Sequence, residues 1–219
     1  VFFIWYPSPL ASAVGVTHIF LMLLVIDVIL GPLLGLLVYK EGKKTLKFDL
    51  AVIILIQLSA LCYGVYSIAQ GRPVWIVYSI DRFELIKNNE IIDQDIQKAQ
   101  LEYQHPSWLG PQLVAMQLSL NGEQRNKEMF NEVFSGISLA QHPERYVNLN
   151  SVTAQIQQRV EKLELLSHYN DPVMVKEILT KYPQANSFVP LKASAVDMTV
   201  LINKEKGEVV KIVDLRPWK

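Results

Sequence analysis

The sequence is poor in cysteine throughout and poor in charge at its beginning. Cys62 is the single cysteine, which excludes both a disulfide within the chain and a zinc site built from cysteines. Residues 1–39 carry one formally charged side chain, Asp27, although the chain as a whole has 21 basic and 21 acidic residues. A net charge of zero favours no class of partner, but its uneven distribution predicts an apolar membrane region followed by one soluble domain.

Catalytic motifs are also lacking. The histidines at positions 18, 105, 142 and 168 are scattered, and the chain has no HExxH, GxSxG or glycine-rich phosphate loop. Basic residues do not cluster with interleaved aromatic residues, so nucleic-acid binding is not expected. We therefore expect a protein that is not an enzyme, that needs no metal or cofactor, that takes no small-molecule substrate, and that binds another protein.

Two long apolar runs predict membrane-spanning helices. A span needs about 20 apolar residues, and the runs at about 14–39 and 50–69 meet that length. The connection between them, residues 40–49, is short and rich in lysine, which is typical of a cytoplasmic loop. This orientation predicts a transmembrane region at 1–71 and an extracytoplasmic domain at 72–219.

The first nine residues, VFFIWYPSP, are interpreted as the end of an earlier, truncated span. Trp5 and Tyr6 suit a membrane interface, and Pro7 and Pro9 would end a helix there. The alternative, a remnant of a signal peptide, is disfavoured because VFFIWY lacks the small residues of a cleavage site. The membrane region is thus expected to hold two complete spans plus the end of a first one.

The remaining residues predict an α+β domain with a small antiparallel sheet backed by helices. Residues 72–86 are typical of one long strand or two short ones, residues 113–120 of a strand, and residues 194–202 and 207–218 of a hairpin turning at Gly207. Apolar spacing predicts helices at 91–103, 122–136, 151–169 and 170–183. In the second of these the predicted buried face consists of Met129, Phe130, Val133 and Phe134.

Asp27 is the most unusual residue of the membrane region. It lies near the middle of the first run, where an acid exposed to lipid costs at least about 2.5 to 3.5 kcal/mol. It must therefore face protein or water, or be protonated. A contact with a partner or an ion path would explain it, as would a protonated carboxyl bonded to Gln57 or Ser59 of the second span. We favour a functional role, because acids inside a membrane are functional more often than not.

Small residues accompany this acid. Gly31 and Gly35 are four positions apart, as are Ala60 and Gly64, and such pairs let helix backbones approach closely. These faces would either pack against each other or receive another protein. Pro32 is expected to kink the helix just past the acid. The candidate partner-binding residues are Asp27, Gly31, Pro32, Gly35, Gln57 and Trp75.

Residues 5 to about 86 resemble the type IV pilin accessory proteins of the TfpX/TfpZ (FimB-like) family. The similarity lies in the segments GVTHIF, DVILGPLL, KFDLAVI, YGVYSIAQGRPVW and IDRFEL. The resemblance implies a multi-pass inner-membrane protein of Gram-negative bacteria with its C-terminal domain in the periplasm. It also implies a role as a chaperone that binds and stabilises the major pilin before pilus assembly.

This resemblance makes the pilin and the lipid bilayer the expected partners. A pilin has a hydrophobic membrane helix, with a buried acid and a free amine, and a globular head outside. We expect the span that holds Asp27, Gly31 and Gly35 to dock the pilin helix, and the outer domain to touch the head. The alternative is a membrane sensor or transport accessory subunit in which Asp27 is an intramembrane relay.

Overall fold

The computed structural model describes residues 2–40, 44–119 and 121–219, apart from the side chains of Asp27, Gln124, Met129, Asn131 and Val133. The α-helices are α1 (Leu10–Ala13), α2 (Val16–Val38), α3 (Leu46–Gln70), α4 (Gly122–Ser135), α5 (Thr153–Arg159), α6 (Leu166–Tyr169) and α7 (Pro172–Thr180). The strands are β1 (Pro73–Ser79), β2 (Arg82–Lys87), β3 (Gln112–Met116), β4 (Tyr146–Val147), β5 (Ser187–Lys192), β6 (Met198–Asn203) and β7 (Glu208–Val213).

The chain divides into two compact units. The helical unit is Gly15–Gly71, and the sheet unit combines the residues up to Val14 with Arg72–Lys219. The helical unit consists of α2 and α3, each long and apolar enough to cross a membrane. Helix α3 begins before its apolar run. Thr45 Oγ1 donates to Asp49 Oδ2 at 3.1 Å, and the acidic Asp49 in the first turn interacts favourably with the helix dipole. Residues 41–43 of the lysine-rich connection lie outside the described residues.

The sheet has seven strands in the order β4-β3-β1-β2-β5-β6-β7. It is mixed, because β1 pairs parallel with β3 and β2 pairs parallel with β5, whereas the other neighbours are antiparallel. The expectation of a small antiparallel sheet is therefore wrong. The two parallel pairs join strands that are far apart in sequence. No local turn sequence predicts such pairs, because parallel strands are joined by long crossover connections.

The sheet is buried on both faces. Alternate residues of β1 enter different clusters: Ile76 and Tyr78 pack on one face with Ile156 of α5, whereas Trp75 and Val77 pack on the other. A strand buried on both sides has no solvent-facing alternation, which is why residues 72–79 read as a nearly continuous apolar run. Helices α6 and α7 cover the second face nearer to β6 and β7.

The residues before Val14 are part of the sheet unit. Tyr6 is 1% exposed and Ala13 is fully buried, and Leu10 packs with the strands in the same cluster. The carbonyl of Ala13 accepts hydrogen bonds from the backbone amides of Ala195 and Val196 at 3.0 and 3.1 Å. These contacts differ from the expected placement of Tyr6 at a membrane interface, because an apolar aromatic segment suits a protein core as well as lipid.

Two of the predicted helices are wrong in form. Residues 91–103 hold short 3₁₀ turns instead of one helix, and residues 151–169 break into α5, a further 3₁₀ turn and α6. The break falls where the backbone of Glu161 exchanges two hydrogen bonds with that of Phe188, at 2.8 and 3.0 Å. This pairing with the buried end of β5 outweighs the local helical preference of the segment.

Candidate functional site

Helices α2 and α3 pack through glycine. A Cβ on Gly64 of α3 would stand 3.1 Å from Leu23 Cδ1 of α2. A Cβ on Gly31 of α2 would collide with the side-chain amide of Gln57 of α3. The later residue of α2, Gly31, meets the earlier residue of α3, and the earlier residue of α2, Leu23, meets the later one, so the helices run antiparallel. Gly31 and Gly64 therefore pack the pair itself, which is one of the two roles that the sequence left open for the small residues.

Gly35 has a different environment from Gly31. Among the described residues, no heavy atom beyond the nearby backbone of α2 itself lies within 4 Å of the position that a Cβ on Gly35 would take. One turn of helix separates the two glycines, so α2 has one glycine filled by the partner helix and one that is open. An open glycine on an apolar helix is a place where another helix backbone can approach closely.

Asp27 lies in α2, four residues from Leu23 and four from Gly31. Its side chain lies outside the described part of the structure. Ser59, one of the two residues expected to bond it, donates its hydroxyl to the carbonyl of Leu55 at 2.8 Å, within its own helix. The helix continues through Pro32, at which a kink was predicted.

Trp75 does not reach the surface. It is 1% exposed, and its ring meets Tyr103 and Tyr146 edge-on with centroids 5.9 and 5.4 Å apart. This aromatic cluster fills the second face of the sheet. A tryptophan close after a span is typical of an interface, which makes Trp75 a candidate partner contact by sequence. In the structure Trp75 instead supports the core of the sheet unit.

Helix α4 places two aromatic side chains in solvent. Phe130 and Phe134 are 61% and 74% exposed, and their ring centroids lie 4.3 Å apart. The prediction that both are buried is wrong. They follow helical spacing, and spacing alone cannot tell a face that meets the protein core from a face that meets something else. Met129 and Val133, the other residues of that predicted face, lie outside the described side chains.

The opposite side of α4 is fixed by charge. Glu128 accepts hydrogen bonds from Arg145 Nη1 at 3.0 Å and from Ser119 Oγ at 2.5 Å. The bond from Arg145 is the largest cause that lowers the pKa of Glu128 to about 2, and the Ser119 hydroxyl adds to it against the effect of burial. The helix begins at an Asn121 cap and ends at Gly136, whose φ of 69° suits glycine. Glu128 therefore attaches this side of α4 to the domain, and the two exposed rings lie on the other side.

A polar groove of about 340 Å³ lies at the end of α4. Side chains of both charges line it, among them Arg82, Glu84, Glu132 and Lys192. Arg82 Nε donates to Asp81 Oδ1 at 2.8 Å, and this bond raises the pKa of Arg82. A groove with mixed charge does not select a small anion or cation, but it suits the polar rim of a protein contact. Among the described residues, no three metal-ligating side chains come together.

The Glu128 contact predicts how the sheet unit responds to acid. A carboxyl whose pKa is lower in the folded chain contributes stability above its ordinary value of 4.5, and loses it as the pH falls through about 2. Glu128→Gln is expected to lower the free energy of unfolding by about 1 to 3 kcal/mol at neutral pH and to weaken the acid dependence below pH 4.5. Urea unfolding of the full chain in detergent at several pH values measures both effects.

The exposed Glu164 gives the matched control for this prediction. Glu164→Gln removes an exposed carboxyl that has no ion pair among the described residues, so its unfolding curves should follow those of the unmodified chain. Equal curves for the two variants would contradict a stabilising role for the Glu128–Arg145 pair.

The chain is similar to proteins of Dichelobacter nodosus. The fimbrial assembly protein of serogroup I is 33% identical over 165 residues, which cover 74% of this chain and 64% of that protein. The fimbrial assembly protein of serogroup E1 is 32% identical over 165 residues, which again cover 74% of this chain and 64% of that protein. The protein of serogroups C1 and C2 is 35% identical over 101 residues, covering 45% of this chain and 77% of that protein.

The chain belongs to the family of fimbrial assembly proteins. It spans about 64% of the length of the serogroup I and E1 relatives. Neither a family model nor a solved structure matches it.

Proposed function

We propose that the protein is an inner-membrane accessory protein that binds and stabilises the major type IV pilin before pilus assembly. Membership in the fimbrial assembly family carries this proposal, because it supports a role in type IV fimbrial biogenesis. The finer assignment to TfpX/TfpZ-like chaperones rests on the segments of residues 5–86. In this proposal the protein is not an enzyme, and its sheet unit lies in the periplasm.

The helical unit is the proposed dock for the membrane helix of the pilin. Helices α2 and α3 are of spanning length, and almost none of their apolar surface is buried within the chain. The open Gly35 would let the pilin backbone approach α2, and Asp27, two turns before it, would offer its carboxyl to a polar group of the pilin. Gly31, Pro32 and Gln57 would shape this face, since Gln57 packs on Gly31.

The α4 surface is the proposed contact for the pilin head. Aromatic side chains are enriched at the centre of protein interfaces, with polar groups around them. Phe130 and Phe134 have this character, and the groove lined by Glu132 and Lys192 begins at the same end of the helix. The two surfaces would hold the membrane part and the outer part of one pilin subunit.

Enlarging the open glycine tests the membrane part of this proposal. Gly35→Leu is expected to reduce several-fold the amount of pilin that co-purifies with the protein in detergent, because leucine keeps a second helix at a distance. The variant itself should accumulate normally, since nothing in the described part of the chain beyond the nearby backbone of α2 lies within 4 Å of the new Cβ. Immunoblots of the purified protein and of the captured pilin measure both quantities.

Two further variants control this experiment. Ala51→Leu makes a similar enlargement at an exposed position of α3 and should leave pilin capture unchanged. Gly64→Leu fills the site against Leu23 and should instead lower the amount of the protein itself. Normal capture by Gly35→Leu would remove α2 as the docking helix.

A further inference from the structure

Four apolar side chains of the sheet unit lie together in solvent. Phe3 and Ile4 are 98% and 50% exposed, and Trp108 and Leu109 are 61% and 85% exposed. A shallow depression of about 400 Å³, lined mainly by apolar residues, lies between the two segments that carry them. These four residues are called the apolar patch below. A folded domain in water rarely exposes residues of this size side by side unless the surface meets an apolar partner.

The two segments of the patch are fastened to each other. The rings of Trp5 and Trp108 are 6.0 Å apart. A Cβ on Gly110 would stand 2.9 Å from the carbonyl oxygen of Ile4, and the φ of Gly110 is 115°, so the loop passes this close only with glycine there. The guanidinium carbon of Arg72 lies 4.1 Å from the centre of the Trp108 ring. These contacts make the apolar patch part of the folded sheet unit.

The chain leads directly from the end of α3 to a residue that contacts this surface. Arg72, which contacts Trp108, directly follows Gly71, the residue that caps α3. Consecutive Cα atoms are 3.8 Å apart, so Trp108 is held at the point at which the chain leaves α3. If α3 crosses a bilayer, that point lies at the boundary between lipid and water.

The composition of the patch fits this boundary. Tryptophan prefers the headgroup level, since its ring is apolar and its N–H is polar, while leucine and phenylalanine favour the acyl chains beneath it. A protein partner would also bury apolar residues, but only lipid follows from the covalent continuity with α3.

We propose that the apolar patch is a membrane-interface anchor, in which Trp108 lies among phospholipid headgroups and Leu109 and Phe3 enter the upper acyl region. The anchor gives the sheet unit a third attachment to the bilayer besides its two chain connections to the helical unit. This proposal rests on the membrane location included in the proposed function, but not on pilin binding.

Depth-dependent fluorescence quenching tests the anchor. The full chain with Cys62→Ser and Leu109→Cys is labelled with a nitrobenzoxadiazole dye and reconstituted in phosphatidylcholine and phosphatidylglycerol vesicles that contain lipids with doxyl groups. We expect strong quenching by a doxyl group near the top of the acyl chain, since such anchors enter about 5 to 10 Å. The matched control, Val173→Cys in the same background, places the dye on α7 at a position that is 65% exposed, and should show little quenching.

The possible outcomes are distinct. Equal quenching at positions 109 and 173 would overturn the anchor, as would a dye at 109 that responds to added pilin and not to doxyl lipid. The native Cys62 in α3, labelled in the unmodified chain, should be quenched most by a doxyl group deep in the bilayer. A dye at Cys62 that is not quenched in this way would contradict both the membrane location and the anchor. Lost pilin capture with quenching retained at 109 would contradict only the proposed function.

Discussion

Replacing Asp27 by leucine is expected to lower the amount of pilin held by the protein by about five- to thirtyfold, while the variant itself accumulates. Hydrogen bonds of polar side chains between helices in a membrane contribute about 1 to 2 kcal/mol in model peptides. Since about 1.4 kcal/mol corresponds to a tenfold change in affinity, losing one such bond gives this range. Pilin abundance and pilus number in cells that carry Asp27→Leu measure the effect.

The accumulation of the variant follows from the cost of the acid. A carboxylate in the middle of a span is unfavourable by about 2.5 to 3.5 kcal/mol on insertion scales, so leucine should make insertion of α2 easier. The described contacts of α2 with α3, of Leu23 with Gly64 and of Gly31 with Gln57, are made by other residues. Reduced pilin could therefore not be attributed to a shortage of the protein.

Two variants sharpen this test. Asp27→Asn retains a group that donates and accepts hydrogen bonds, and should keep more pilin than Asp27→Leu. Val28→Leu changes the next residue, which is 66% exposed, and should have no effect. If pilin levels stay normal in Asp27→Leu, the carboxyl does not contact the pilin and the assignment fails.

The parts of the fold that sequence could predict are those that local chemistry determines. Helix α7 begins where the Asp171 carboxylate accepts from the Val173 amide at 2.8 Å, as its position before Pro172 predicted. Strands β6 and β7 turn at Gly207, whose φ is 68°. Residues 72–86 were predicted to form one long strand or two short ones, and the structure has two, β1 and β2. Strand β3 overlaps the predicted segment 113–120 but begins at Gln112 and ends at Met116.

The parts that could not be predicted depend on distant contacts. The 151–169 segment has good helical spacing, but the pairing of Glu161 with Phe188 interrupts it. Strand β5 contains Pro190 and was not predicted, because proline weakens a strand pattern even though one side of this residue pairs with Thr199. The parallel pairs have the same cause, since they join segments that only the whole fold brings together.

The sequence located the candidate site only partly, because hydrophobicity alone does not show whether a residue meets the protein core, lipid or another protein. Trp75 and Tyr6 suit a membrane interface by composition, yet both are core residues. Trp108 lies in a segment for which the sequence predicts neither helix nor strand, and it is exposed. Phe130 and Phe134 suited a core and are exposed. The intramembrane acid and the glycine spacing were visible because charge and small size are anomalous in a span, but only packing distinguishes the filled Gly31 from the open Gly35.

Replacing Phe130 and Phe134 together by serine is expected to weaken binding of the pilin head by about 30-fold or more. Aromatic residues at the centre of an interface each contribute about 2 kcal/mol or more when truncated, and 2 kcal/mol corresponds to about 30-fold in Kd. The two rings stack on each other at 4.3 Å, so one partner surface would cover both. Binding of soluble pilin head to the full chain in lipid nanodiscs measures the change.

The same double variant should leave the fold intact, which separates binding from stability. Both side chains are mostly in solvent, and substitutions at such positions usually change the free energy of unfolding by less than about 0.5 kcal/mol. Val173→Ser, at a position of α7 that is 65% exposed, removes a comparable exposed apolar group and should preserve binding. Unchanged pilin affinity in Phe130→Ser/Phe134→Ser, with Val173→Ser as reference, would show that the head is held elsewhere on the sheet unit. Reduced affinity with an unchanged unfolding curve would place the head contact on α4.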